Sequence, residues 1–444
     1  MRLRKQTPLL VLATMSTLLR RSVHAFPTIR PSKKRPRNGD YSSQQLFFST
    51  VKAATTDTSS SSPSTSEMTN LGLMTSRLGL DPTLNRFHSP IVNHPNYSFA
   101  EWPPNHTFPM DKFDRIANAL MTTCSKTIPG SNLPRPLVRN KQDFFQPLHF
   151  NEIPREWFDI IDADFVDRFL QSQLTVEEAR YIGFREQTHR PELIERTVLE
   201  VAGTVLTCQL ACHYGIACNV AGGTHHASPE GGAGYTILND LAVATNFMTS
   251  PELWQSPGSY SLLPQPVQRV LVIDCDVHQG DGTAKFSTLW NSDPKHPKYD
   301  TLFTLSMHCA SNYPRLKAHS TYDIGLDNGC QDEEYLQELE TSVNKALAQV
   351  QPDLVLYDAG VDVYEHDKLG RLKISEEGMR KRDRWVLDRC VGANIPVAAV
   401  VGGGYDKDVD ALARRHAIVH EECAYVWRKY KMWKRKRAND ENRA

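Results

Sequence analysis

Val270-Leu271-Val272-Ile273-Asp274-Cys275-Asp276-Val277-His278-Gln279-Gly280-Asp281-Gly282 changes character at its midpoint. Four apolar residues, three of them β-branched, form the continuous run expected of a strand covered on both faces. The run then ends abruptly in acids, a histidine and glycines. The same change recurs along the chain. Leu354–Leu356 leads into Tyr357-Asp358-Ala359-Gly360-Val361-Asp362, and Val397–Val401 leads into Gly402-Gly403-Gly404-Tyr405. A short strand near Asn219–Ala221 leads into Gly222-Gly223-Thr224-His225-His226. Leu302 to Met307 reads as a further strand.

Helical periodicity fills the intervals. Leu336, Leu339, Val343, Leu347 and Val350 step by three and four residues across 332–350. Segments 193–214, 375–392 and 406–430 are also helical in character. Strand alternating with helix predicts an α/β fold, a three-layer sandwich with a central, mostly parallel sheet. In such sheets ligands bind beyond the carboxyl ends of the strands. The polar motifs sit at those ends.

Asp276 and His278 are two apart on an extended segment, so their side chains project to one side. With Asp362 from a neighbouring strand end they make three ligands for a divalent metal. Two carboxylates and a neutral imidazole would balance Zn2+ and leave one coordination position open, the form of a catalytic site. An isolated DxDxH is more often a surface turn. At the end of a buried strand that reading weakens, because unpaired buried carboxylates are costly. The adjacent pair His225-His226 lies among Gly222, Gly223, Gly231, Gly232 and Gly234, which allow the backbone to turn both rings inward. Such a pair can take a proton from water and return it to a leaving amine. Asp274 and Asp281 are placed to orient the two imidazoles. Tyr405, after three glycines, can donate to a developing oxyanion.

The set GGTHHA, DCDVHQGDG, GVDxxxxDxLG and GGGY resembles the histone deacetylase family, over roughly residues 90–428. The resemblance implies the arginase/deacetylase fold and one catalytic zinc held by Asp276, His278 and Asp362. It implies His226 as general base and acid, His225 as electrostatic helper, and the pairs Asp274–His225 and Asp281–His226. Tyr405 would stabilise the tetrahedral intermediate, and Gly234 and Tyr235 would wall the tunnel for the acyl-lysine chain. A monovalent cation, K+, would use Asp274, the backbone of Asp276 and His278, and Ser306. Ser306–Ala310 and Asp367–Leu372 look more like class IV and bacterial-type members than class I. Where class I continues with an FPGTG-like loop, this chain reads Asn312-Tyr313-Pro314-Arg315-Leu316-Lys317. The acidic rim residue of class I has no clear counterpart here. Substrate preference therefore does not transfer from class I, and the acyl group is expected to be acetyl or longer.

Other readings of the same machinery are weaker or open. A two-metal ureohydrolase of this fold needs DxHxD where this chain has DxDxH. An acetylpolyamine or acetoin-type deacetylase would use the same residues on a small amine. A catalytically dead scaffold sits badly with an intact residue set. The expected substrates are acylated lysine proteins, histones among them, with small acetylated amines as the alternative.

With 51 basic and 51 acidic residues in 444, the chain has no overall field favouring nucleic acid, and no sequence-specific DNA binding is expected. Nine scattered cysteines without a CxxC pair argue against a disulfide framework. Cys208, Cys212 and His213 have metal-like spacing but read better as core helix. Domain organisation follows from composition: 1–67 a targeting presequence and Ser/Thr-rich linker, 88–430 the catalytic domain, 431–444 a basic tail. Residues 1–50 carry ten Lys/Arg against the single acid Asp40, with an apolar run from Leu9 to Leu19 too short to span a bilayer. The Ala25-Phe26-Pro27 junction resembles a bipartite plastid presequence. Plastid targeting is expected, with mitochondrion, nucleus or cytosol, and secretion as alternatives. The basic clusters at 33–37 and 434–437 are also readable as nuclear signals, and Asn96 and Asn105 head formal glycosylation sequons. No membrane span is expected in the mature chain, and nothing in the sequence speaks to oligomeric state.

Overall fold

A computed structural model describes residues 87–122, 136–255 and 263–434 apart from 264. The presequence, its linker and residues 435–444 of the basic tail lie outside the described residues, as does Cys124.

The described residues build seven strands: β1 (Ile91–Val92), β2 (Ile216–Asn219), β3 (Val270–Asp274), β4 (Leu302–Cys309), β5 (Tyr322–Leu326), β6 (Leu354–Asp358) and β7 (Val397–Val400). They form one sheet in the order β1-β2-β7-β6-β3-β4-β5, and every pairing is parallel. The expected three-layer α/β sandwich is present, its sheet parallel throughout among the described residues. The β2 strand ends at Asn219, two residues earlier than expected, because the chain is already turning at Gly222 and Gly223 (φ +92° and +89°). Neighbouring residues of β3 point to opposite faces, yet all five are buried. Helices therefore cover both sides of the sheet, as parallel strands require.

Nine α-helices occur among the described residues: α1 (Lys112–Met121), α2 (Ala163–Leu170), α3 (Val176–Ile182), α4 (Pro191–Tyr214), α5 (Asp240–Thr249), α6 (Asp281–Asn291), α7 (Asp332–Val350), α8 (Glu376–Gly392) and α9 (Val409–Lys429). Their ends follow local chemistry. Pro191 opens α4, where its missing N–H costs nothing, and Gly215 closes it at φ +93°. The Ser375 hydroxyl accepts from Gly378 N at the start of α8, with Glu376 and Glu377 in the positive first turn. Helix α4 packs on α5, and α9 packs on α8 and α1; both α4 and α9 lie against β2. No helix among the described residues is long and apolar enough to cross a membrane.

The strand order decides the site. β2, β7, β6 and β3 are consecutive in the sheet, so the four polar motifs that follow them share one rim. One fully buried side chain, Arg382 of α8, ties two of these loops together. Its guanidinium donates to the carbonyls of Cys275, Ala359 and Gly360 and to Asp383, which also accepts from the Tyr357 hydroxyl. Arg382→Ala leaves three buried carbonyls and a buried carboxylate short of donors. The expected loss is about 3–5 kcal/mol of stability in chemical unfolding, the range for breaking a buried charge pair. A change under about 1 kcal/mol would show that water replaces the guanidinium there.

Candidate active site

The turn after β2 is built around Asp240. Its carboxylate accepts from the backbone N–H groups of Gly223 and Thr224 and from the hydroxyls of Thr204 and Thr224. This web bends the segment so that His225 and His226 both face inward, with ring centroids 4.1 Å apart. Nδ1 of His225 lies 2.8 Å from Asp274 Oδ2, and Nδ1 of His226 lies 2.8 Å from Asp281 Oδ1. The two histidines differ in charge. Burial disfavours the His225 cation, but Asp274, Asp276 and Asp358 around it prevail and raise its pKa well above the ordinary value. His226 is pushed down to about 4, first by burial and then by the positive charge on His225, against the pull of Asp281. At neutral pH one ring holds its proton and the other has room for one.

Asp276, His278 and Asp362 meet beside them. Nδ1 of His278 is 3.1 Å from Asp276 Oδ1 and 3.0 Å from Asp362 Oδ2. The remaining carboxylate oxygens are oriented by backbone N–H groups, Gly403 to Asp276 Oδ2 and Val277 to Asp362 Oδ1, each 2.8 Å. All three residues are buried. Burial works against a charge on His278, yet the two carboxylates push its pKa up to about 10. The site attracts positive charge strongly. Its donor set of two oxygens and one nitrogen fits a divalent cation, and it is one of two metal-capable groups among the described residues.

The second group is His225, Asp274 and Asp358. Asp358 was not singled out in the sequence, although it follows a strand as Asp274 does. The two are partners in the β3–β6 register. Neither Asp358 oxygen has a hydrogen-bond partner, and Oδ2 lies 3.9 Å from His225 Nδ1. Burial, and then the charge on Asp274, raises its pKa well above the carboxylate range, against the pull of His225. Ser306 lies opposite Asp274 on β4, which makes those two of the groups expected at a monovalent cation site neighbours; the Ser306 hydroxyl is 3.0 Å from His308 Nδ1. Cys208 is buried in α4, and the Cys208–Cys212–His213 set is not among the metal-capable groups.

A cavity opens onto these groups, with His226, His278, Gly234, Tyr235 and Tyr405 in its lining. Tyr405 is held by its backbone N–H, which donates to Asp367 Oδ2 at 2.7 Å, and its ring centroid lies 6.1 Å from that of Tyr235. Asp367 also accepts from Leu369 and Gly370 N, so the DxLG element is a clamp on the tyrosine loop. Tyr235 itself sits at φ +64°, a conformation costly for a side-chain-bearing residue, and is fixed by a 2.6 Å bond from its N–H to Ile182 O. At Gly234 a Cβ would come within 2.6 Å of the His226 ring, so only glycine leaves that passage open. From the divergent 312–317 loop, the Tyr313 ring stands edge-on to His226 at 4.8 Å and 86°. That contact, like the role of Asp367, carries no one-residue signature in sequence.

A buried three-ligand metal-type cluster beside two histidine–aspartate pairs, at the carboxyl ends of an all-parallel sheet, is the arrangement of a metal-assisted hydrolase. Residues 159–421 match the family described as the histone deacetylase domain, and the chain belongs to that family. It is 39% identical over 340 residues to an uncharacterized protein of Picosynechococcus sp., spanning 76% of this chain and 99% of that one. It is 31% identical to histone deacetylase 2 of Arabidopsis thaliana over 48% of this chain and 52% of the plant protein, about half its length. A solved histone deacetylase homologue from Aquifex aeolicus superposes with a TM-score of 0.54 at 18% identity, covering 76% of this chain and 84% of that one, which shows the same fold.

Proposed function

We propose that this protein is a zinc-dependent lysine deacylase, hydrolysing the amide between an acyl group and a lysine side chain of proteins, histones among the candidates. One observation carries the reading. Two adjacent histidines, each 2.8 Å from its own aspartate, face the same cavity as the Asp276–His278–Asp362 cluster. Those three residues would hold one zinc ion, which when bound polarises the amide carbonyl and makes water a competent nucleophile near neutral pH. Asp281 fixes Nδ1 of His226, leaving Nε2 as the nitrogen that takes the proton from the attacking water. The same nitrogen delivers that proton to the amine as the C–N bond breaks. His225, kept charged by Asp274, lends positive potential to the oxygen that gains charge, and the Tyr405 hydroxyl donates to it. Gly234 and Tyr235 flank the alkyl chain of the lysine.

The test is turnover of acyl-lysine peptides by residues 68–444 purified with zinc, beside acetylated polyamines. Peptide hydrolysis blocked by a hydroxamate chelator supports the proposal. Hydrolysis of the polyamines alone would move the substrate to small amines and sink the protein-lysine reading. In the same assay Tyr405→Phe is expected to lower kcat by roughly 10²–10³-fold with little change in KM, the effect of losing one oxyanion donor. An unchanged kcat would remove Tyr405 from the mechanism.

A further inference from the structure

The cavity does not end at the metal-type cluster. Its lining also includes Phe108, Lys112 and Phe113 together with Arg196 and Glu200 of α4. Lys112 is 2% exposed, and among the described residues its ammonium makes one hydrogen bond, from Nζ to Gly402 O at 2.9 Å. The ammonium lies over the rings of Phe108 and Phe113, 5.5 and 5.2 Å from their centroids. Its neighbours are already committed. Glu200 is paired with Arg196 at 2.8 Å and also accepts from Gly222 N, while Asp276 and Asp362 face His278. Among the described residues no carboxylate forms a direct ion pair with Lys112; Glu200, Asp362 and Asp276 attract it only from a distance. Burial, and then the charge of Arg196, brings its pKa down only to about 8, which leaves it protonated at pH 7. A buried ammonium without a directly paired carboxylate is costly, and this one lines the cavity.

Lys112 is also close to the chemistry. The residue after its carbonyl partner, Gly403, donates to Asp276 Oδ2 at 2.8 Å. An acyl group whose carbonyl lies at the Asp276–His278–Asp362 cluster would share this cavity with the ammonium, the tilted pair Phe108 and Phe113 lining it beside Lys112. A long alkyl chain would have to end against Lys112, Arg196 and Glu200 and strip them of polar contacts. A short chain ending in a carboxylate would supply the missing partner with a charge-assisted hydrogen bond. The wall residues 108–113 precede the matched span 159–421.

Resting on the deacylase reading above, we infer that Lys112 binds the terminal carboxylate of a short dicarboxylic acyl group, of malonyl, succinyl or glutaryl type, and that such acyl-lysines are the preferred substrates. The reaction is hydrolysis and needs no further reactant. Water adds its oxygen to the acyl carbon, the amide C–N bond breaks, the amine gains the proton, and a dicarboxylate leaves.

The experiment compares kcat/KM for succinyl- and glutaryl-lysine peptides with butyryl- and valeryl-lysine peptides of matched length. Wild-type protein is expected to favour the charged chains by at least tenfold. In Lys112→Met that ratio should fall at least tenfold, with Lys112→Arg retaining part of it. Calorimetry on the zinc-loaded protein should show glutarate binding more tightly than butyrate or acetate, and the difference lost in Lys112→Met. Should Lys112→Met not fold, the wild-type ratio, the calorimetry and Lys112→Arg still decide. Turnover of butyryl-lysine with refusal of succinyl- and glutaryl-lysine overturns this inference and leaves the deacylase reading intact. A ratio unchanged in Lys112→Met overturns it equally. No turnover of any acyl-lysine overturns both.

Discussion

His226→Ala is expected to lower kcat/KM for an acyl-lysine peptide by roughly 10²–10⁴-fold, the usual contribution of a positioned general base and acid. Bound metal and the folded state should remain. The expectation rests on the asymmetry within the histidine pair. His226 is buried, bonded through Nδ1 to Asp281, and held neutral by burial and by its charged neighbour. His225 cannot exchange roles with it, because three carboxylates hold its proton in place. His225→Ala should therefore act differently, leaving Asp274, Asp276 and Asp358 facing one another without a cation. Its loss of activity should come with weaker stability, which His226→Ala should not show. Equal destabilisation by both substitutions, measured by thermal unfolding, would refute this division of labour. Full activity in His226→Ala would refute the base assignment outright.

The second large effect concerns Asp362. Asp362→Asn is nearly isosteric and can still accept the Val277 N–H bond, but it removes one of two carboxylates from the cluster. Zinc at about 1,000 times its dissociation constant is expected to stabilise the wild-type protein by about 4 kcal/mol, and this gain should vanish in the variant together with activity. Stoichiometric zinc in Asp362→Asn, by elemental analysis, would mean that the ion is held elsewhere. The cluster of His225, Asp274 and Asp358 would then be the first place to look.

Much of this protein was legible along the chain because parallel strands buried on both faces leave an unmistakable trace. Val270–Ile273 and Leu354–Leu356 are apolar throughout, and the change to acids and glycines marks where each strand leaves the core. The 332–350 helix was readable to its ends, since a partly exposed helix repeats its apolar residues every three or four positions. The expected ligands and both histidine–aspartate pairs lie within motifs of a few residues, and the structure brings them together. Lys112, Asp358 and Arg382 were not legible, and Asp367 was read only as part of a motif, not as the clamp on Tyr405. A single lysine before a phenylalanine, or one aspartate after a strand, looks the same on a surface as in a cavity wall.

The sequence by itself determined the α/β class, the strand and helix periods, and the residue types gathered at the strand ends, because these depend on neighbours only a few positions away. Tertiary structure alone decided that β2, β7, β6 and β3 are adjacent, and so that four separate motifs form one rim. It also decided which histidine carries the proton, for that depends on carboxylates some 50 to 130 positions distant along the chain. The wall of the cavity was settled in the same way. Lys112 meets Gly402 across 290 residues, and only folding places this buried cation in the lining of the cavity.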